Sequence, residues 1–198
     1  MVVNVKKTGI LLMLLVLVGF ASACLSSDSN TSSQTSTESP KYVDVNGTRI
    51  YLDQIHFYMY GMKTCPHCRH MKEWIPEEFG ADSLTYYELV NDETNSELFG
   101  QLAQLTGITG VPAIAITYNG TIQAIFEGEF NVSATPEIVA TAMNANGVIL
   151  FIGGEWYLLA RDNPRSETLI DALQTIFVEH ESVDVQSVLT KLKSNSTG

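Results

Sequence analysis

The pattern of apolar and polar positions predicts alternating strands and helices in the middle of the chain. Two runs rich in β-branched and aromatic residues, 55–60 and 84–90, have the character of strands, and helical sequence follows the first. In residues 93–106 the leucines recur at helical spacing, and Gly107 is the expected residue at the helix C-terminus. These patterns predict a β-α-β-α succession.

The next segment continues with a hairpin and a further helix. Strands are predicted over 113–118 and 121–126, because an Asn-Gly pair between them is typical of a two-residue turn. Residues 135–144 predict a short helix, with Thr135 as its cap and a proline in its first turn. The element order β-α-β-α-β-β-α over residues 55–147 belongs to the α/β class.

Further elements flank this core on both sides. Residues 41–52 predict a hairpin around an Asn-Gly turn, and residues 148–160 predict another around Gly-Gly. Amphipathic helices are expected over 166–178, with Ser166 as the N-cap, and over 184–193. We interpret these segments as additions that extend the sheet and cover its edge.

The first 40 residues have targeting character. Two lysines precede an apolar run over residues 9–20, and small residues lead to Cys24. Three interpretations are open: cleavage of a signal peptide (1–23) to release a secreted protein, lipidation of Cys24 as in a lipoprotein, or an uncleaved signal anchor. Residues 24–40 are rich in serine and threonine and predict a flexible tether. All three place the domain over 41–198 outside the cytoplasm.

Composition and charge limit the number of domains and the kinds of partner that the chain can have. With 198 residues, 45% of them hydrophobic, the chain can form one domain with a substantial core. A net charge of -11 argues against nucleic acid as a partner, because binding to phosphate requires a basic surface.

Outside the targeting region the cysteines are Cys65 and Cys68. A structural disulfide that closes so short a loop would restrict the unfolded chain little. A zinc site needs about four ligands, for which Cys65, His67, Cys68 and His70 are candidates, with His56 the nearest further one. A metal-binding or metal-delivery module therefore stays open as the alternative, while a redox-active pair is the preferred interpretation.

The surrounding sequence favours the redox interpretation. Pro66 suits the first position of a helix, which places Cys65 at the helix N-terminus, where the helix dipole and free N–H groups stabilise a thiolate. Cys68 lies one turn further on the same face. Pro76 falls inside the helical pattern and is expected to kink or end the helix.

Three joined features resemble the thioredoxin superfamily over residues 55–147: C-P-H-C after a strand, G-I-T-G-V-P-A before the third strand, and Gly128 after the fourth. The resemblance implies a thioredoxin-like fold, a central mixed sheet flanked by helices. It also implies that Pro112 is cis, that the backbone of Val111 pairs with a substrate, and that Cys65 reacts with substrates while Cys68 resolves the mixed disulfide. The resemblance implies no bound cofactor or metal, because the redox-active group would be the Cys65–Cys68 disulfide itself.

The Pro-His pair between the cysteines resembles the DsbA-type disulfide oxidases. His67 would donate a hydrogen bond or positive charge to the Cys65 thiolate, unless it merely faces solvent. Two features depart from the family. The interval between Cys68 and Pro112 is too short for the helical insertion of those oxidases. Met59 replaces the buried acid of thioredoxins, which leaves water, His56 or Glu73 to take the proton of Cys68.

The sequence thus predicts an enzyme, an extracytoplasmic thiol–disulfide oxidoreductase. Its expected partners are exported protein substrates and a second redox protein that recharges the dithiol. A lipid on Cys24 would anchor it to the outer face of the cell membrane, and without that lipid it would be secreted.

Overall fold

A computed structural model describes residues 41–194 of the chain. The expected signal peptide, the tether and Cys24 lie outside the described residues. The described strands are β1 Tyr42–Val45, β2 Thr48–Tyr51, β3 Ile55–Gly61, β4 Leu84–Glu88, β5 Ala113–Tyr118, β6 Thr121–Glu127, β7 Gly147–Ile152 and β8 Glu155–Ala160. The described helices are α1 Pro66–Phe79, α2 Glu93–Thr106, α3 Thr135–Asn144, α4 Pro164–Gln174 and α5 Val185–Ser194. Within 41–194, no helix combines the length and apolar character that a membrane span requires.

Six of the strands form one mixed sheet in the order β4-β3-β5-β6-β7-β8, and β1 and β2 form a separate hairpin. β3 pairs with β4 in parallel and with β5 in antiparallel orientation. The register places Tyr60 opposite Ala113 and Gly61 opposite Glu88. The carboxyl end of β3 therefore meets the start of β5, and both cysteines follow directly from this edge of the sheet.

The sheet has an apolar layer on each side, because successive side chains of a strand point to opposite faces. On one side Phe57 and Met59 pack with Met71 and Ile75 of α1, and with side chains of α3. On the other side Tyr60 packs with residues of α2 and α4. α1 is thus held against the sheet by buried side chains, which fixes the position of the cysteines at its start.

The predicted α/β class and the order of the core elements are confirmed, as are both flanking hairpins and the left-handed Gly107 after α2. The interpretation that residues 148–160 extend the sheet is also confirmed, since β7 pairs with β6 and β8 pairs with β7. The same interpretation was wrong for the hairpin over 41–52, because β1 and β2 pair with each other and not with the six-stranded sheet.

Three local predictions were wrong in whole or in part. Pro76, expected to kink or end α1, does not end it, because α1 runs on to Phe79, where burial of Ile75 and packing of Phe79 on the core hold the last turn in place. α4 begins at Pro164 and not after Ser166, since the side-chain oxygen of Asn163 accepts hydrogen bonds from the free N–H groups of Arg165 and Ser166.

The third error concerns the start of α3. Thr135 is its first residue rather than its cap, and its hydroxyl donates to the Val132 carbonyl at 2.6 Å. A preceding turn of 3-10 helix, Val132–Ala134, leads the chain directly into the helix.

Candidate functional site

The start of α1 brings the two cysteines together. Cys65 is the residue before the helix, in an extended conformation, and its sulfur accepts a hydrogen bond from the Cys68 N–H at 3.2 Å. Pro66 occupies the first turn, as predicted, where its missing N–H leaves no carbonyl unpaired. The Cys65 sulfur thus accepts a hydrogen bond from one of the free N–H groups at the helix N-terminus, and this arrangement favours a thiolate.

The two thiols differ in their surroundings. Cys65 is partly exposed, whereas Cys68 is fully buried. Burial, followed by the hydrogen bond with Cys65, raises the pKa of the Cys68 thiol to about 12. Cys68 therefore stays protonated at neutral pH, while Cys65 is the sulfur that a molecule in solution can reach. One accessible and one sheltered thiol are what a two-step exchange with another disulfide requires.

The loop before β5 lies against the Cys65 sulfur. The Cys65 thiol contacts the Val111 carbonyl at 3.6 Å, and the peptide bond between Val111 and Pro112 is cis. The N–H of Gly128, after β6, donates to the Pro112 carbonyl at 2.8 Å. The three motifs on which the family resemblance rests are therefore neighbours in space.

A tyrosine that the sequence did not single out lies beside Gly61, on which Cys68 also packs. A Cβ atom added to Gly61 would lie 3.0 Å from the Tyr86 ring and 3.1 Å from the Cys68 sulfur. The Tyr86 ring and the Cys68 sulfur therefore pack closely around this glycine, with no room for a larger side chain. Burial, and then its hydrogen bond to Glu88, raises the pKa of Tyr86. Tyr86 therefore stays a neutral phenol at neutral pH.

Glu88 joins the same group from the end of β4. It accepts hydrogen bonds from the N–H groups of Lys63 and Val90 and from the Tyr86 hydroxyl. Desolvation opposes its charge, but these donors together outweigh that effect and lower the pKa of Glu88. The carboxylate thus holds the loop that leads from β3 to Cys65. The sequence indicated only that Glu88 lies in a predicted strand, and this does not identify its hydrogen-bond partners.

Glu127 holds the opposite wall of the site. Its carboxylate accepts hydrogen bonds from the N–H groups of Thr109 and Gly110, two residues before the Val111–Pro112 bond, and from Gly153 in the β7–β8 turn. Partial burial opposes the charge, but the three N–H groups lower the pKa of Glu127. The C-terminal hairpin is therefore tied to the loop beside Cys65, a role that the sequence did not indicate.

His67 points to a carboxylate. Its Nδ1 lies 3.0 Å from Oε2 of Glu129, and His70 Nδ1 lies 3.0 Å from the same oxygen. Hydrogen bonds from His67 and then His70 lower the pKa of Glu129. Among residues 41–194, the hydrogen-bond partners of the Cys65 sulfur are Cys68 and Val111. The effect of His67 on the thiolate stays a prediction.

The two candidates for accepting the Cys68 proton lie elsewhere. His56 is near the start of β3, about 16 Å from Gly61 at the usual rise of a strand, and its Nε2 bonds to Thr85. Glu73 is exposed on α1, more than one turn beyond Cys68. Neither position suits direct proton transfer to Cys68.

The metal-ligand set considered from the sequence is divided by the fold. Within the described part of the chain, the group of side chains that could hold an ion consists of His67, His70 and Glu129, without a thiol. His56 is remote from this group, as its position on β3 shows.

No family model, curated protein or solved structure matches the chain, so the function must be inferred from the geometry of this site.

Proposed function

We propose that the protein is an extracytoplasmic thiol–disulfide oxidoreductase that acts on exported proteins through Cys65 and Cys68. The observation that carries this proposal is the inequality of the two thiols. Cys65 is reachable and its sulfur accepts a hydrogen bond from the backbone N–H of Cys68, while the Cys68 thiol is buried one turn behind it. A purely structural pair would not need an accessible sulfur at a helix N-terminus.

The reaction is a pair of thiol–disulfide exchanges. A substrate thiolate attacks the Cys65 sulfur of the Cys65–Cys68 disulfide, which forms a mixed disulfide and releases the Cys68 thiolate, and this thiolate then takes up a proton. A second substrate thiolate attacks the substrate sulfur of the mixed disulfide and releases Cys65. The substrate loses two electrons and gains a disulfide, and the enzyme becomes the dithiol.

A disulfide-bearing partner protein accepts those two electrons and restores the Cys65–Cys68 disulfide. The same steps in reverse reduce a substrate disulfide, so the redox state of that partner sets the direction. The raised pKa of Cys68 supports its role in this cycle, because a thiol that is protonated at rest does not compete with Cys65 for substrates.

The neighbours of Cys65 have separate roles. Pro66 starts the helix and so fixes the position of the sulfur at its N-terminus. The Val111 carbonyl, beside the sulfur, offers a backbone acceptor to an extended substrate segment, and Pro112 follows it directly before β5. His67 lies on the outer side of α1 and acts on the thiolate through its charge.

A thioredoxin-like fold for residues 55–147 is part of the proposal. It is supported by the run of elements from β3 to α3 and by the sheet order β4-β3-β5-β6, with one parallel and two antiparallel pairings. The β7–β8 hairpin and the last two helices are additions to that core. They support the site through the contact between Gly153 and Glu127.

The placement outside the cytoplasm rests on the N-terminal sequence alone. We propose that Cys24 carries a lipid that anchors the protein at the outer face of the membrane. Replacement of Cys24 by serine should release the protein from membranes or leave its signal uncleaved. Unchanged processing and membrane association in that variant would contradict the lipid anchor without affecting the redox proposal.

Trapping of substrates tests the activity. The variant Cys68→Ser, expressed in the full chain, should accumulate exported proteins as mixed disulfides on Cys65. They form when the Cys65 thiolate attacks a disulfide of an exported protein and displaces one of its thiolates, and they persist because Cys68 is not there to displace the bound protein. The matched variant Cys65→Ser should trap none, since the remaining thiol is buried. Equal trapping by the two variants, or none by either, would contradict the proposed function.

A further inference from the structure

A second group of reactive side chains lies on the outer surface of α1, next to the dithiol. His67 and His70 are three residues apart and therefore lie on one face of the helix. Glu129 reaches them from the segment that follows β6. Both Nδ1 atoms lie 3.0 Å from a single carboxylate oxygen, Oε2, and the three candidate ligand atoms are within 4.8 Å of one another.

These distances suit a bound metal ion. Zinc binds imidazole nitrogen at about 2.0–2.1 Å and carboxylate oxygen at about 2.0–2.2 Å. In a tetrahedral site those bond lengths separate neighbouring ligand atoms by about 3.3 Å. The observed nitrogen–oxygen separations of 3.0 Å differ from that value by a few tenths of an ångström, which exposed side chains can accommodate by small rotations.

The surroundings of His70 hold its ring in place. The imidazole stacks on Trp74, one turn further along α1, with ring centroids 5.1 Å apart and planes inclined by 17°. Glu129 supplies a carboxylate oxygen beside the two imidazole nitrogens, and zinc binds both kinds of ligand atom. The chain as a whole carries a net charge of -11, which attracts cations to its surface.

We propose that His67, His70 and Glu129 form a binding site for a divalent transition metal ion that prefers imidazole ligands, zinc in the first instance. The three side chains leave a fourth position open to water or to another ligand. The bound ion would join α1 to the segment after β6. The site contains neither Cys65 nor Cys68, so an ion can bind while both thiols are oxidised, and the site differs from a thiolate metal centre.

Zinc titration of the untagged full chain tests the site. In the disulfide form, with Cys65 and Cys68 oxidised, competition against a chromophoric chelator should show one zinc ion bound per chain. His67→Ala, His70→Ala and Glu129→Gln should each weaken binding by about tenfold or more, because each removes one of three ligands. The matched control Glu73→Gln removes an exposed carboxylate from the same helix and should bind as the wild type does.

Trp74 gives a second signal that a structural role alone would not produce. In the variant Trp156→Phe, Trp74 is the remaining tryptophan of the chain. Titration with Ni²⁺, a paramagnetic ion that quenches nearby indole fluorescence, should quench it with the stoichiometry of the zinc site. His70→Ala should abolish this quenching at the same concentrations of nickel.

Several results would overturn the proposal. These are absence of zinc binding by the oxidised protein, binding that the ligand variants leave unchanged, and binding that appears only when Cys65 and Cys68 are reduced. The last result would instead indicate a thiolate site. None of them bears on substrate trapping by Cys68→Ser, so failure of the metal site and failure of the redox function are distinguishable.

Discussion

The first turn of α1 presents two faces with opposite properties. The thiol face, Cys65 and Cys68, turns toward the sheet and the Val111 loop, and its second sulfur is wholly buried. The imidazole face, His67 and His70, is about half exposed and pairs with Glu129. Burial controls the chemistry of the first face, since it keeps Cys68 protonated, whereas hydrogen bonding to Glu129 controls the second.

This difference shows how a short segment can hold two independent kinds of site. Alternate residues of a helix turn point in different directions, so residues that are adjacent in the sequence acquire different neighbours. The thiol face depends on close packing with Gly61 and Tyr86. The imidazole face depends on one carboxylate from a distant segment. Changes to one face should therefore leave the other largely intact.

The largest expected effect is the difference in reactivity between the two thiols. In a Cys24→Ser background, the thiol left in Cys65→Ser should react with iodoacetamide at neutral pH at least about a hundredfold more slowly than the thiol left in Cys68→Ser. Burial and a pKa near 12 keep Cys68 as the unreactive thiol. Timed quenching and mass measurement give both rates. Similar rates would remove the basis for assigning Cys65 as the nucleophile.

Packing around Gly61 should matter to the thiol face and to stability. Gly61→Ala would bring a methyl group within 3.0–3.1 Å of the Tyr86 ring and the Cys68 sulfur. We expect it to lower the free energy of unfolding by about 1–3 kcal/mol, the usual effect of overpacking.

The control for this change is Gly100→Ala in α2, where an added methyl group has no neighbour within 4 Å. That variant should gain about 0.5–1 kcal/mol, because alanine is the better helix former. Urea unfolding measures both proteins. A neutral Gly61→Ala variant would show that the packing beside Cys68 is loose.

His67 tests whether the two faces influence each other. Its positive charge would stabilise the Cys65 thiolate, which exists only in the reduced state. His67→Leu should therefore lower the reduction potential of the dithiol, by about 30 mV or less, where 30 mV corresponds to about 1.4 kcal/mol. Glu129 offsets part of the charge, so the shift should be larger in a Glu129→Gln background. An unchanged potential in both backgrounds would mean that the imidazole face does not act on the sulfur.

The smallest effect is expected from Glu129 itself. Its hydrogen bonds from His67 and His70 lower its pKa, so it stabilises the native state above its unfolded pKa of about 4.3 and loses that contribution as the pH falls through its native pKa. Because the pair is exposed, Glu129→Gln should cost less than about 1 kcal/mol at pH 6. Wild type and variant should converge in urea unfolding at low pH, with a chelator present. A difference that grows on acidification would contradict this sign.

Much of the fold was accessible from the sequence because its signals are local. The leucine spacing of α2, the Asn-Gly and Gly-Gly turns, and the proline after Cys65 each act within a few residues, and the structure agrees with them. At the start of α4 two residues were possible N-caps, Asn163 and Ser166, and the prediction of Ser166 was wrong. Asn163, which stands before a proline, caps the helix.

The partners in the site could not be predicted, because they depend on strand register and on loops distant in sequence. Tyr86 and Cys68 both approach Gly61, and the parallel pairing of β3 with β4 places Met59 opposite Tyr86 and Gly61 opposite Glu88. Glu127 and Glu129 lie two residues apart, yet the first bonds to the loop before Val111 and the second to the histidines of α1. No spacing rule in the sequence distinguishes these two carboxylates.

The measurement that tests the central claim most directly is the reduction potential of the Cys65–Cys68 pair. The full chain, in a Cys24→Ser background, would be equilibrated with glutathione or dithiothreitol buffers and its thiols counted by mass after alkylation. The proposed function predicts one two-electron equilibrium between about -270 and -120 mV, the range of thiol–disulfide oxidoreductases. A potential below about -300 mV, typical of a structural disulfide, or failure to form the disulfide would contradict it.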